Sequence, residues 1–328
     1  MNILVIGAGS IGQRHIQNLK FLGINNIEVF DNNKKLLKHV EKKFKIKILN
    51  RLKFNKIDCT LICTPPSSHI QLTKLALEEN SNVFIEKPLS NSLKGTNLIA
   101  KLAKKKSLEI FVGYVFRFDK GLIKINDFLK QNKIGDVVSY DAYEGWNLAN
   151  WRPWQKFEKS YTASEKLGGG IILDGSHELN YLQWLEGEID SVFSLYRKIP
   201  KMKIETEGIS EILTQFNSKV IGRIHLDFIN PKYNRHCEIL GNKGSINWSY
   251  ENLSFTIRKN NGTAKLLKYE KDPNKMYVDE MQHVINCIDD KESNRITLDD
   301  AKKTLAISLS IKESGKQKKL IKITKNKK

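Results

Sequence analysis

With 328 residues the chain has room for two domains, and either can bury a core of its own. A composition of 40% hydrophobic and 28% charged residues is that of a folded soluble protein, and no apolar run approaches the ~20 residues needed to span a bilayer, which argues against a membrane protein. The net charge of +19 comes mostly from lysines scattered among asparagines, not clustered with aromatics as on a nucleic-acid surface; such a field suits a phosphorylated or nucleotide-linked small molecule.

In chain order, the first element is a continuous apolar strand, Ile3–Ile6, which enters Gly7-Ala8-Gly9-Ser10-Ile11-Gly12 and then a helix over about 11–22. An apolar segment with no basic stretch before it, ending in a glycine loop, reads as a strand covered on both faces and not as a signal peptide. The glycine spacing fits the pyrophosphate of a dinucleotide. Gly7 permits the tight turn, Gly9 lets the backbone approach phosphate, and Gly12 lets the helix pack on the strand. Ser10 and Ile11 open the helix, whose free N–H groups favour an anion. A second strand, Ile27–Phe30, ends at Asp31, roughly the ~20 residues downstream where a carboxylate for the ribose belongs.

A helix over about 33–43 follows, with Leu36, Leu37, Val40 and Phe44 on one face, and then a weak strand, Ile46–Leu49. Strand Cys59–Cys63 breaks at Thr64-Pro65-Pro66, and Ser67 and Ser68 are candidate caps for the helix carrying Leu72, Leu75 and Ala76. Strand Asn82–Ile85 runs into Glu86-Lys87-Pro88-Leu89-Ser90, with Ser90 a candidate cap for the next helix, and strand Ile110–Gly113 completes the set. Repeated βα units with short loops predict a doubly wound parallel sheet, a Rossmann domain over residues 1–118. Cys59, Cys63, Cys237 and Cys287 form no C-x-x-C pair, so they read as reduced packing residues of a cytoplasmic protein.

Beyond residue 118 the pattern changes. A helix over about 119–131 leads to a long strand around 137–146, a tryptophan-rich loop and the segment 167–186. Strand-like stretches follow at 191–199, 208–217, 220–229, 236–240, 244–249 and 253–258, before helices around 275–289 and 298–313. This predicts an α+β second domain, 119–328, built on a mainly antiparallel open sheet, with Lys316–Lys328 a solvated tail. A broad sheet with one face uncovered favours a symmetric homodimer or homotetramer.

Two places carry chemistry. Lys87 follows a strand of the dinucleotide sheet, where ligands bind in such folds, and Pro88 stiffens its turn; the bland alternative is an exposed Glu-Lys pair. In Gly168-Gly169-Gly170-Ile-Ile-Leu-Asp174-Gly-Ser-His177-Glu-Leu-Asn180, a helix would put Asp174, His177 and Asn180 on one face. A histidine beside a carboxylate is a proton acceptor, or else the two satisfy each other in a domain interface. Together Lys87 and His177 suit hydride transfer to nicotinamide: neutral His177 takes the hydroxyl proton, the Lys87 ammonium stabilises alkoxide character, and Asp174 orients the imidazole.

On these residues the chain resembles the glucose-fructose oxidoreductase / inositol dehydrogenase / MocA family over nearly its whole length. The carriers are Gly7–Gly12, Thr64-Pro-Pro-Ser-Ser-His69, Glu86-Lys87-Pro88-Leu89, Gly113-Tyr-Val-Phe-Arg117-Phe118 and Gly168–His177. Trp151-Arg152-Pro153-Trp154 with Ser160-Tyr161 looks like a branch associated with bacterial surface sugars and sugar nucleotides. The resemblance implies that Lys87 and His177 are catalytic with Asp174 assisting. It further implies that Thr64, Pro65, His69 and Glu86 line the cofactor site, and that Arg117, Tyr143, Trp151 and Arg152 touch a sugar or nucleotide-sugar substrate. Two departures stand out: the aspartate lies three residues before the histidine where many members have four, and Asn180 stands where an aspartate is usual.

Cofactor choice is a charge argument. Asp31 would accept the 2′-hydroxyl of NAD and repel the 2′-phosphate of NADP, and Asn32-Asn33 is no phosphate cradle, so NAD is expected over NADP. The leading expectation is an NAD-dependent dehydrogenase or reductase of a secondary hydroxyl. The alternatives are an NAD-dependent glycosidase that oxidises its sugar transiently and a non-catalytic nicotinamide-binding regulator.

Overall fold

The computed structural model describes residues 1–323 apart from 152, 154, 270 and 271. The chain divides into two compact units, one made of residues 1–115 and 273–302, the other of 116–272 and the residues from 303 on.

The first unit contains β1 (Ile3–Ile6), α1 (Ser10–Phe21), β2 (Ile27–Phe30), α2 (Lys34–Phe44), β3 (Lys47–Ile48), β4 (Cys59–Ile62), α3 (His69–Glu78), β5 (Asn82–Glu86), α4 (Thr96–Lys106) and β6 (Ile110–Gly113). Its sheet has the order β3-β2-β1-β4-β5-β6 with every pair parallel, the doubly wound arrangement expected. β1, β4 and β6 are buried along their whole length, because helices cover both faces; that is why they read as unbroken apolar runs. The strand order reverses between β1 and β4, so the loops after these strands flank the crevice where such sheets bind ligands.

A 3-10 turn, Val115–Phe118, leads into the second unit and α5 (Lys120–Lys130), whose first turn is capped by the Asp119 carboxylate at 2.9 Å from Leu122 N. Then come β7 (Val137–Gly145), α6 (Leu148–Trp151), α7 (Ile171–Asp174), α8 (Ser176–Glu186), β8 (Ile189–Arg197), β9 (Ile209–Phe216), β10 (Ile221–Asp227), β11 (Asn234–Gly241), β12 (Gly244–Ser249), β13 (Ser254–Lys259) and β14 (Ala264–Lys268). The chain ends with α9 (Lys275–Ile288), α10 (Leu298–Gln317) and β15 (Ile321–Lys322). The sheet runs β14-β13-β12-β11-β7-β10-β9-β8-β15, antiparallel throughout except for the parallel pair β7–β10. Alternate residues face the covering helices: Ile224 and Leu226 of β10 and Cys237 and Ile239 of β11 are buried there. The other face carries Leu195, Leu213, Ile221, Leu240 and Leu266 in the open.

Several local expectations change. The second unit is not one block from 119 onward, because α9 returns to the first unit, where Met281, Val284, Ile285 and Cys287 join the core built by Ile16 and Leu19 of α1. Ser68 makes no cap bond to α3; a 3-10 turn, Pro66–Ser68, leads directly into the helix, and the Ser68 hydroxyl donates instead to Pro65 O at 2.8 Å. Ser90 lies too early to cap α4, which starts after Gly95. The basic segment from Lys316 is not wholly a solvated tail, since Ile321 and Lys322 pair with β8. β14 was not anticipated, its burial being too slight to show a period of two.

Candidate active site

In the first unit the glycine loop is built around backbone contact. Gly7 has φ +102°, and a Cβ there would lie 2.5 Å from Cys63 O, so the loop after β1 lies against the end of β4. A Cβ on Gly12 would sit 2.0 Å from Gly7 O, which is why α1 can close on the turn. Gly9 is the opposite case, with nothing within 4 Å of its Cβ direction, and it precedes α1 without any side-chain cap. Open space at an uncapped helix start, flanked by Ser10 and Ile11, fits a pyrophosphate. At the end of β2, Asp31 is held in place: Oδ2 accepts from Ala8 N at 2.8 Å and Oδ1 from Asn33 N at 2.7 Å. A carboxylate oxygen has a second lone pair, so both can still accept from ribose hydroxyls. These residues fit NAD.

At the crevice the loops after β4 and β5 are tied together from within. His69 is fully buried, with Nε2 2.8 Å from Thr64 O and Nδ1 3.0 Å from Pro88 O. Burial lowers its pKa against the pull of the two carbonyls toward the charged ring. The side chain therefore acts through the loops it joins. Thr64 shares a hydrogen bond of 2.7 Å with the Ser68 hydroxyl, and Pro65 starts the turn into α3. Glu86, the last residue of β5, lies 2.6 Å from Nε2 of the buried His15 and accepts from Lys87 N at 3.2 Å, so the backbone on which half-buried Lys87 stands is anchored. Nothing in the spacing of α1 pointed to His15 as Glu86's partner.

In the second unit His177 is the second residue of α8 and is 8% exposed. Asp174 does not share that helix: it ends α7, and Gly175 separates the two. A Cβ on Gly175 would lie 2.8 Å from the Leu226 side chain, so a larger residue would have to displace Leu226. Phe116 stands edge-on to the His177 ring, with centroids 5.0 Å apart, and the Arg235 guanidinium lies 4.3 Å over the same phenyl ring. Arg235 pairs with Glu144 and, at 2.9 Å, with Glu178, the residue after His177. All three are buried. Burial opposes the arginine's charge, but the two carboxylates outweigh it and hold its pKa above the ordinary value; burial pushes Glu178 up. Sequence reasoning missed this triad, since its members come from β7, α8 and β11.

The expected substrate contacts scatter. Tyr143 points to the open face of the sheet, stacked between His225 at 4.5 Å and His236 at 5.1 Å and donating to Asp227 at 2.9 Å. Its neighbour Glu144 is the one on the helix-covered face with Glu178. Asn180 is buried and donates to Thr304 Oγ1 of α10 at 3.1 Å. Arg117 lies 4.7 Å over the Trp184 ring. Trp151 ends α6 and packs on Trp146 and Phe228, with ring centroids at 6.0 and 5.3 Å. Arg152 and Trp154 lie outside the described residues.

Comparison with known proteins agrees with both units. A family model described as an oxidoreductase family, NAD-binding Rossmann fold, matches residues 1–114, and its companion, the C-terminal alpha/beta domain of an oxidoreductase family, matches 127–323. A scyllo-inositol 2-dehydrogenase (NAD(+)) of Bacillus subtilis is 24% identical over 326 residues, 94% of this chain and 92% of that protein. A myo-inositol 2-dehydrogenase of Thermotoga maritima is 23% identical, covering 98% of each. Among solved structures, a levoglucosan dehydrogenase in complex with NADH superposes with a TM-score of 0.88 at 15% identity over 99% of both chains, a likeness of fold.

Proposed function

We propose, of a chain that belongs to the glucose-fructose oxidoreductase / inositol dehydrogenase / MocA family and is an NAD-dependent oxidoreductase, that its substrate is a ring secondary hydroxyl, or the matching ketone, of a cyclic polyol, sugar or sugar nucleotide. The observation that carries this reading is the combination, in one chain, of a glycine cradle with an anchored Asp31 and a buried histidine at the start of α8. The inositol dehydrogenases among its relatives support the choice of a ring hydroxyl.

NAD, when bound, supplies the hydride acceptor. Everything else falls to the chain's own residues. The cradle of Gly7, Gly9, Ser10, Ile11 and Gly12 would take the pyrophosphate and Asp31 the ribose, while Thr64, Pro65, Glu86 and Lys87 line the nicotinamide end and His69 holds that lining in shape. His177 takes the hydroxyl proton as general base, and Asp174 assists it. The Lys87 ammonium stabilises negative charge on the same substrate oxygen. Arg117, Trp151, Arg152 and Asn180 remain as substrate contacts to be tested singly, and Tyr143, on the open face of the sheet, leaves that set.

Assay of the purified protein against inositols, sugars and nucleotide sugars with NAD should show a stoichiometric rise in NADH absorbance with the true substrate. Lys87→Ala and His177→Ala should each lower kcat by about 10²- to 10⁴-fold while the Kd for NAD changes little. Near-normal turnover in either variant removes that residue from the reaction.

The open sheet face, with its exposed leucines and isoleucine, favours a homodimer or homotetramer, which light scattering on Leu213→Glu and wild type would test. Four buried, unpaired cysteines favour a cytoplasmic setting. No helix among the described residues is long and apolar enough to cross a membrane.

A further inference from the structure

Three consecutive glycines permit close backbone approach, and in the structure Gly168–Gly170 grips the chain's own turn. A Cβ on Gly169 would lie 2.3 Å from the carbonyl oxygens of both Tyr161 and Thr162. Gly170 N donates to Thr162 O at 3.0 Å, and Gly169 N to Ser164 O at 2.9 Å. From the other side, Thr206 Oγ1 donates to the same Thr162 carbonyl at 2.9 Å, and Glu205 N to Ala163 O at 3.0 Å. The short 3-10 turn Tyr161–Ala163 is therefore held by backbone contacts on two sides. Gly170, with φ +107°, lies against the Glu207 carboxylate, whose position is set by Lys312 at 3.5 Å.

This grip delivers one side chain. The Tyr161 hydroxyl donates to Asp174 Oδ1 at 2.7 Å, and Asp174 is 3% exposed. Asp174 ends a helix of one turn, and the α7–α8 break at Gly175 leaves its carboxylate without the continuous helix that the spacing to His177 suggested. An aspartate at a helix end has several side-chain rotamers open to it. A short hydrogen bond from a clamped phenol selects one of them, and a hydrogen bond to an ionised acceptor is among the stronger kinds.

We propose that Tyr161 is a positioning residue for the reaction, its hydroxyl fixing the Asp174 carboxylate for its work beside His177, and that the glycine triplet exists to hold Tyr161 there. The inference rests on the dehydrogenase reading, in which Asp174 assists His177. It extends that reading to a residue from a different segment, and it explains three consecutive glycines by close backbone packing without any ligand.

A double-mutant cycle tests it, with Tyr161→Phe, Asp174→Asn and the double variant as full-length proteins. Tyr161→Phe keeps the ring and removes one oxygen. It should lower kcat about tenfold, leave KM for the hydroxyl substrate within about threefold and move the acid limb of the kcat–pH profile by about half a unit. In the Asp174→Asn background the same change should alter kcat by less than about twofold, because the acceptor it serves has lost its charge. An equal loss in both backgrounds, or a wild-type rate and profile in Tyr161→Phe, overturns the proposal. If wild type transfers hydride from no polyol or sugar, the dehydrogenase reading fails by itself. The urea midpoints of the same four proteins then decide the Tyr161–Asp174 link: coupling supports it and additivity overturns it.

Discussion

Glu280 gives the sharpest test of the physical account of the first unit. It sits on α9 with 2% exposure, and neither carboxyl oxygen has a hydrogen-bond partner among the described residues. Burial, and then the charge of Glu86, push its pKa well above the ordinary 4.5. The folded state therefore keeps a proton on Glu280 that the unfolded chain releases near pH 4.5, so above that pH the folded state binds more protons. Stability must then fall as pH rises, by about 1.4 kcal/mol per pH unit for this group, until its folded pKa is reached. Glu280→Gln removes the titration and keeps the shape. The variant should match wild type near pH 4.5 and exceed it by a margin that widens as pH rises toward 7, read from urea unfolding followed by circular dichroism. Stability curves that run parallel from pH 5 to 8 would refute the claim that Glu280 is protonated in the folded protein.

Other expectations follow from named contacts. NADH should bind more tightly than NADPH, and Asp31→Ala should narrow the gap by about ten- to a hundredfold in calorimetry, the worth of hydrogen bonds to a charged group; equal affinities in wild type would defeat the charge argument. Gly7→Ala should destabilise by about 2 kcal/mol or more in urea and abolish tight NAD binding, since its Cβ would meet Cys63 O at 2.5 Å in a positive-φ conformation. Asp119, the cap of α5, is pushed up by burial to about 6, so it costs stability as pH rises from 3.8 to 6, up to about 3 kcal/mol. Asp119→Asn, an equally good cap, should be at least as stable as wild type at pH 7 and lose that advantage at pH 4, by thermal scanning at both.

The first unit was legible because its signals are local. A strand covered on both faces is apolar throughout, a glycine loop has fixed spacing, and Asp31 follows at the distance a single βαβ unit imposes. The second unit was legible only in part. Counting three residues from Asp174 to His177 suggests one continuous helix, but the chain makes two, α7 and α8, divided at Gly175, where Leu226 of β10 leaves no room for a Cβ. Tyr143 illustrates the period of two: an aromatic near a site attracts a functional reading, yet one position along the strand decides which face it occupies. The Arg235–Glu144–Glu178 triad and the His15–Glu86 pair were invisible, being joined across long stretches of chain.

That α9 completes the core of the first unit bears on how the polypeptide is made. When residues 1–115 leave the ribosome, the side chains of Ile16 and Leu19 still lack Met281, Val284 and Ile285, which arrive much later in synthesis. The nucleotide-binding half is thus begun before the other and finished only after most of it. A recombinant fragment ending at 115 would expose an oily helix face, and any chimera that exchanges this half must import two separate pieces of sequence.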